Sequence, residues 1–175
     1  MRKLKNSELE RISVDNFKNS KKTPIIVVFD NVRSALNVGS AFRTSDAFRI
    51  EKIYLCGITS TPPNKEIRKS ALGSTNSVEW EHSEKTEDIV LKLRKEGYLV
   101  CAIEQVSNSV MLNNFKSTEK PLVVVFGNEV NGVQQSVVDL CDVCIEIPQI
   151  GTKHSLNISV SVGVVLWDLF YKVNQ

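Results

Sequence analysis

The sequence predicts a mostly parallel α/β sheet with helices on both faces. Apolar runs bounded by turn residues recur at 24–30, 52–57, 98–104, 121–127 and 143–148, as expected of strands joined through helices. Two of these runs, Ile25–Phe29 and Leu122–Phe126, are continuous in Val, Ile, Leu and Phe rather than alternating. Strands read that way when both faces of a parallel sheet are covered. Helical patterns lie between the runs.

In chain order, residues 1–22 are predicted to be an appended basic helix and connector. They hold seven Lys/Arg against three Asp/Glu, whereas residues 23–175 hold fifteen against seventeen. The net charge of +2 thus hides a lead of +4 on a domain of −2. That excludes a wholly basic nucleic-acid coat and leaves room for local basic patches. Residues 84–96 place Ile89, Val90 and Leu93 on one helical face, with Gly97 as the stop. From Ser155 to about Tyr171, Ile158, Val162, Val165, Leu166 and Leu169 repeat with a helical period.

At 175 residues, 42% apolar and 24% charged, the chain suits one folded domain and not a disordered polymer. Its longest apolar runs are five or six residues, far short of the ~20 that span a bilayer. No apolar h-region follows the basic start, so no secretory signal is expected. Cys56 and Cys101 fall inside apolar runs, and Cys141 and Cys144 form one CxxC without a second ligand pair at zinc spacing. All four read as structural thiols. No metal site is expected, and the reducing cytoplasm is the expected compartment.

Ligands of open α/β sheets bind beyond the carboxyl ends of the strands. Three loops there are unusual: NVRSALNVGSAFR after Asp30, GNEVNG after Phe126, and PQIGTKHSLN after Ile147. Gly127 and Gly132 have P-loop spacing, but Val133 and Gln134 stand where Lys and Ser/Thr would meet phosphate and Mg²⁺. The first loop has a single glycine, Gly39, so the dinucleotide fingerprint is absent. Nucleoside triphosphate hydrolysis and NAD binding are therefore not expected.

Other residues of these loops admit two readings. Glu129 either caps a helix or serves a ligand. Arg43 is either a solvated arginine or a guanidinium placed for bidentate phosphate recognition, with Asp46 three residues on for an (i, i+3) contact. Ser155 is either the N-cap of the last helix or a site group. Asn157 is read one turn into an apolar helix, where an amide needs a partner. His154 reads as a loop histidine, because no carboxylate or second histidine lies at ligand spacing.

Taken together, NVGSAFRTSDAF (37–48), FGNEVNGV (126–133) and IPQIGTKHSLNISVSVGVVLW (147–167) resemble the three motifs of the SpoU, or TrmH-like, RNA ribose 2′-O-methyltransferases. The elements N-x-G-x-x-x-R, F-G-x-E-x-x-G and S-L-N are intact and in order, and the likeness runs from about 24 to 172. IRKSALGSTNSVEW (67–80) is similar to the family's link between the second and third strands. The resemblance implies a SPOUT fold for residues 23–175, with a C-terminal trefoil knot that binds S-adenosylmethionine. It implies cofactor contacts from Gly127, Ile147 and Leu156, with Glu129, Gly132, Pro148 and Ser155 shaping the pocket. It also implies a homodimer with its site at the interface, for which Trp167 and Leu169 of the last helix are candidates.

The implied reaction is methyl transfer to a ribose 2′-hydroxyl. Arg43 matches the family's catalytic arginine. Because an arginine stays protonated, it suits clamping a phosphate and stabilising a developing alkoxide better than accepting a proton. Asn37, Ser155 and Asn157 would orient Arg43 and the ribose. Arg33, Lys65, Arg68, Lys69 and Lys153, in or near loops at the ligand end, either line an RNA path or are solvated surface charge. Only the basic lead accompanies the domain, which favours tRNA over rRNA. The competing class is a non-catalytic knotted RNA-binding or assembly factor. Intact Arg43, Glu129 and Asn157 argue against it.

Overall fold

The computed structural model describes residues 1–116 and 119–174; Ser117, Thr118 and Gln175 of the predicted 23–175 domain lie outside the described residues. Among the described residues, the strands are β1 (Thr23–Asp30), β2 (Ile50–Cys56), β3 (Glu79–Ser83), β4 (Leu99–Ile103), β5 (Val110–Met111), β6 (Leu122–Phe126) and β7 (Val143–Glu146). They form one sheet in the order β3-β2-β1-β6-β4-β7-β5. Every neighbouring pair is parallel. The helices are α1 (Val14–Asn19), α2 (Ala35–Ala47), α3 (Lys65–Ala71), α4 (Thr86–Lys95), α5 (Gln135–Val138) and α6 (Ile158–Val173).

The two continuous apolar runs are the central strands, and their residues are fully or almost fully buried. Ile25, Val27 and Phe29 of β1 turn to the side covered by α2, α3 and α6. Ile26 and Val28 turn to the side covered by α4 and α5. With a side-chain period of two, both faces need apolar cover, which is why these runs do not alternate. Each fully buried aliphatic side chain of this kind contributes about 1.5–3 kcal/mol. The helical faces agree with the sequence: Ile89, Val90 and Leu93 are buried on α4, and Ile158, Val162, Val165, Leu166 and Leu169 on α6. Gly97 follows α4 at φ +92°, the left-handed conformation that ends a helix.

Two strands escaped the sequence reading. β3, EWEHS, pairs only with β2 and exposes Glu79, Glu81 and His82. Lys52 bridges Glu79 at 3.1 Å and Glu81 at 2.9 Å. This edge strand carries charge where a buried one carries Val and Ile. β5 is only two residues long. The segment 67–80 does join the second and third strands, through α3 and a 3-10 turn at Ser74–Asn76.

In the lead, α1 is capped by Ser13, whose hydroxyl accepts from Asn16 N at 3.2 Å, and it packs through buried Phe17. Lys22 Nζ donates to the Phe17, Lys18 and Ser20 carbonyls, so it closes the helix end. α1 thus leads straight into the first residue of β1, at the amino ends of the strands. β1 is eight residues long, which separates α1 from the strands' carboxyl ends by about 25 Å. Helix α1 of the +4 lead therefore sits at the far end of the sheet from the three ligand loops.

Candidate active site

Beyond the carboxyl ends of β4, β6 and β7 lies an open cleft of about 350 Å³. Its walls are the turn after β6 and the loop between β7 and α6. Gly127, Glu129, Gly132, Ile147, Ser155 and Leu156 all line it. Pro148, expected in the same group, is exposed in that loop and off the lining.

The turn after β6 is tightly built. Asn128 and Gly132 exchange backbone hydrogen bonds of 2.9 Å in both directions. Asn128 Oδ1 accepts from Val130 N and Asn131 N, and its amide donates to Asn31 O at 2.8 Å. A Cβ on Gly127 would collide with the Gly132–Val133 backbone. The missing side chain at Gly127 lets the turn fold back on its own strand. Gly132 has φ +68°, and a Cβ there would meet the Glu104 carboxylate. Glycine is needed at Gly132 for conformation and for space.

Glu129 reaches across to the first loop. Its carboxylate accepts from Arg33 N at 2.9 Å, Ser34 N at 3.0 Å and Asn37 Nδ2 at 3.2 Å. Ser34 is the N-cap of α2, so the anion sits at the positive end of that helix. Burial pushes the Glu129 carboxyl up, but the Arg33, Ser34 and Asn37 donors outweigh it and hold the group below the ordinary carboxylate range. Asn37 Oδ1 in turn accepts from Asn157 Nδ2 at 3.4 Å. A chain of polar contacts, Glu129–Asn37–Asn157, therefore ties together all three loops singled out by sequence.

Two local readings are corrected. α6 starts at Ile158 and its N-cap is Asn157, whose Oδ1 accepts from Ser159 N at 2.9 Å. Ser155 is not the cap, and Asn157 is not inside the helix. The amide's side chain is satisfied by capping, so it carries no burial cost. Asp46 does not pair with Arg43; its carboxylate accepts from the Ser77 hydroxyl. The α2 face that bears Asp46 packs on the 3-10 turn before β3, which draws the side chain away.

Arg43 is exposed on α2 and lies outside the cleft lining. It makes no hydrogen bond or ion pair with the described residues. Arg33, Lys65, Arg68, Lys69 and Lys153 are likewise exposed and free of ion pairs with described residues. Lys65, Arg68 and Lys69 share one face of α3 at i, i+3, i+4 spacing, whereas Lys153 stands in the loop before α6. α3 rests against α2 at Gly39, where a Cβ would collide with Ser70 Oγ and Ile67 O. The glycine of N-x-G-x-x-x-R is thus a helix-packing residue.

Sequence reasoning missed the residues that brace these loops. Asp30, fully buried at the end of β1, accepts from Gln134 N and Nε2 at 2.8 Å, Thr86 Oγ1 at 2.6 Å and Asn31 Nδ2 at 3.0 Å. Four bonds satisfy a buried carboxylate and join β1 to the starts of α4 and α5. Glu104 and Gln105, at the end of β4, also line the cleft. The acid ending an apolar strand in PIIVVFD was the available signal for Asp30; the local pattern around Glu104 offered none.

The family model described as the SpoU rRNA methylase family matches residues 24–167. The chain belongs to the SpoU family. Among relatives of this SpoU chain, the tRNA (guanosine(18)-2′-O)-methyltransferase of Aquifex aeolicus is 32% identical over 82% of the chain and 67% of its own length. The crystal structure of the A. aeolicus TrmH/SpoU tRNA modifying enzyme superposes with a TM-score of 0.82, at 27% identity, covering 92% of this chain and 81% of that one. The AdoMet-bound rRNA methyltransferase of Sinorhizobium meliloti gives 0.79 at 29% identity, covering 85% and 56%. The SpoU chain spans 56–67% of the length of the curated relatives it matches.

Among the described residues of this SpoU protein, no group of three His, Cys, Asp or Glu is placed to hold a metal ion. No described helix is long and apolar enough to cross a membrane. Cys56 and Cys101 are fully buried. Burial pushes the Cys141 thiol up to about 12, and the thiol donates to Val137 O at 3.2 Å, so at neutral pH it is held as an unreactive thiol.

Proposed function

We propose that the protein transfers the methyl group of S-adenosylmethionine to a ribose 2′-hydroxyl of RNA. The observation that carries this reading is the Glu129–Asn37–Asn157 chain, which joins the first motif loop to the two loops that wall the cleft. The relatives support it, since they are tRNA and rRNA methyltransferases and include 2′-O enzymes of both kinds.

The cleft suits the cofactor. Its volume of about 350 Å³ falls within the ~300–1,000 Å³ of small-molecule sites. Gly127, Gly132, Ile147 and Leu156 would hold it, largely through backbone groups, while Glu129 and Ser155 shape the wall and Pro148 stiffens the loop behind. When bound, it supplies an electrophilic methyl group on a sulfonium. Arg43, unpaired among the described residues, clamps a phosphate of the RNA and stabilises the 2′-oxygen while water or another group takes its proton. Asn37 and Asn157 fix the start of α2 against the start of α6, and Ser155 presents a hydroxyl to the ribose. Arg33, Lys65, Arg68, Lys69 and Lys153 guide the phosphate backbone.

The functional unit in this reading is a knotted homodimer in the cytoplasm. Val160, Val164, Trp167 and Tyr171 form an exposed stripe along α6, too apolar for open water over that length. Leu169, expected at the same contact, is fully buried in the protomer's own core, so Trp167 takes that part without it. α2 packs along α6, with Phe48 against Trp167 and Phe170, and Arg43 on α2 is assigned to the same side of the dimer. tRNA is the favoured substrate.

Incubating the protein with methyl-labelled cofactor and either total tRNA or rRNA, then mapping the modified nucleotide, tests the reading. Label at a ribose 2′-oxygen of tRNA is expected. Label on a base, or RNA binding without transfer, would overturn it, and the second result would favour the non-catalytic RNA-binding factor.

A further inference from the structure

We propose that Glu104 and Gln105, neighbours at the carboxyl end of β4, are positioning residues that hold the two cofactor loops at a fixed separation across the cleft. The proposal rests on the placement of S-adenosylmethionine in that cleft. Neither residue belongs to the three motif loops, yet each bonds to a different one of them.

Glu104 faces the turn after β6. Its Oε2 accepts from Val133 N at 2.9 Å and its Oε1 from Gln105 N at 2.9 Å. Its own N–H donates to Ile145 O of β7 at 3.1 Å, so the carboxylate is anchored in the sheet. Gly132 at φ +68° leaves room for Oε2, where any Cβ would collide. The left-handed glycine and the carboxylate form one joint, which sets how far the turn stands from β4.

Gln105 faces the other wall. Its Nε2 donates to His154 O at 2.8 Å. Residues 148–156 are exposed throughout, and this is the one hydrogen bond they make to another part of the described chain. Ser155 and Leu156, the next two residues, line the cleft. Without the tether, that wall would have to be ordered by the ligand itself, and affinity would fall by the ordering entropy.

The test is calorimetric binding of S-adenosylhomocysteine, with methyl-transfer kinetics and thermal melting on the same samples. Gln105→Ala is expected to raise the cofactor Kd and KM about five- to tenfold. Because Gln105 is exposed, kcat at saturating cofactor and the melting temperature stay near wild type. Gln105→Glu, the same size without a donor, should behave like Gln105→Ala. Gln105→Lys restores a donor of similar reach and should recover most of the affinity. Glu104→Ala should weaken binding more than Glu104→Gln, which keeps an acceptor for Val133 N. Leu156→Trp separates the two layers of the argument, since it fills the cleft and should abolish binding. If Leu156→Trp binds normally, the cofactor placement is wrong. If Leu156→Trp fails to bind while Gln105→Ala and Gln105→Glu bind like wild type, only the positioning proposal falls.

Discussion

Replacing Glu129 by Gln removes a charge from the start of α2 and breaks the link between the loops after β1 and β6. Its three partners, Arg33 N, Ser34 N and Asn37 Nδ2, are all donors. The Gln amide offers one acceptor oxygen and sets an N–H₂ group against the remaining donors. A hydrogen bond to a charged group is worth about 1.5–3 kcal/mol when shielded. Glu129 is largely exposed, so solvent screening reduces that, and the net loss should be about 1–2 kcal/mol. For a chain of this length, Tm should fall by roughly 2–8 °C. The carboxyl is held below its ordinary value, so its contribution is complete above that value and is lost as pH falls through the lowered one. Urea unfolding of wild type and Glu129→Gln at pH 7 should therefore show a gap that narrows on acidification. Equal midpoints at pH 7, or a gap that does not change down to pH 3, would refute the reasoning.

Three further outcomes follow from the same geometry. Gly39→Ala should cost about 1–3 kcal/mol, because α3 has to move away from α2; an unchanged urea midpoint would contradict that close packing. Gly127→Val should lower stability and raise the S-adenosylhomocysteine Kd at least a hundredfold, since the turn cannot close over a side chain. Calorimetry giving wild-type affinity would show that the turn is not part of the site. Val164→Arg places a charge in the α6 stripe and should convert a dimer into a monomer in sedimentation equilibrium. A wild-type protein that runs as a monomer at micromolar concentration would remove the dimer from the account.

Fold class was legible in two five-residue runs because continuous burial leaves no polar position to break the pattern. β3 was not, because an edge strand needs apolar residues on neither its rim nor much of its face, and EWEHS reads as surface. The helical faces of α4 and α6 were legible from periodicity. The α6 start was misplaced because Ser155 and Asn157 are both good caps, and only the loop's path decides between them. The site was legible as three motifs but not as a joined object. Glu129 could be read as a helix cap, yet no pattern says that the helix is α2, which begins at Ala35. Asp30, Glu104 and Gln105 act on backbone groups far away in sequence, and such partners leave no trace in local spacing. The position of α1 follows from strand polarity: the +4 of the lead counts toward RNA only where a substrate or a second protomer reaches the amino ends of the strands.

The central claim is that the cleft holds the cofactor while Arg43, outside the cleft lining, acts on the RNA. S-adenosylhomocysteine affinity and labelled-methyl transfer, measured together on wild type and Arg43→Ala, test it most directly. The account predicts equal affinity, with transfer reduced by at least about a hundredfold. Arg43→Ala with near wild-type transfer, or with cofactor binding lost, would contradict it.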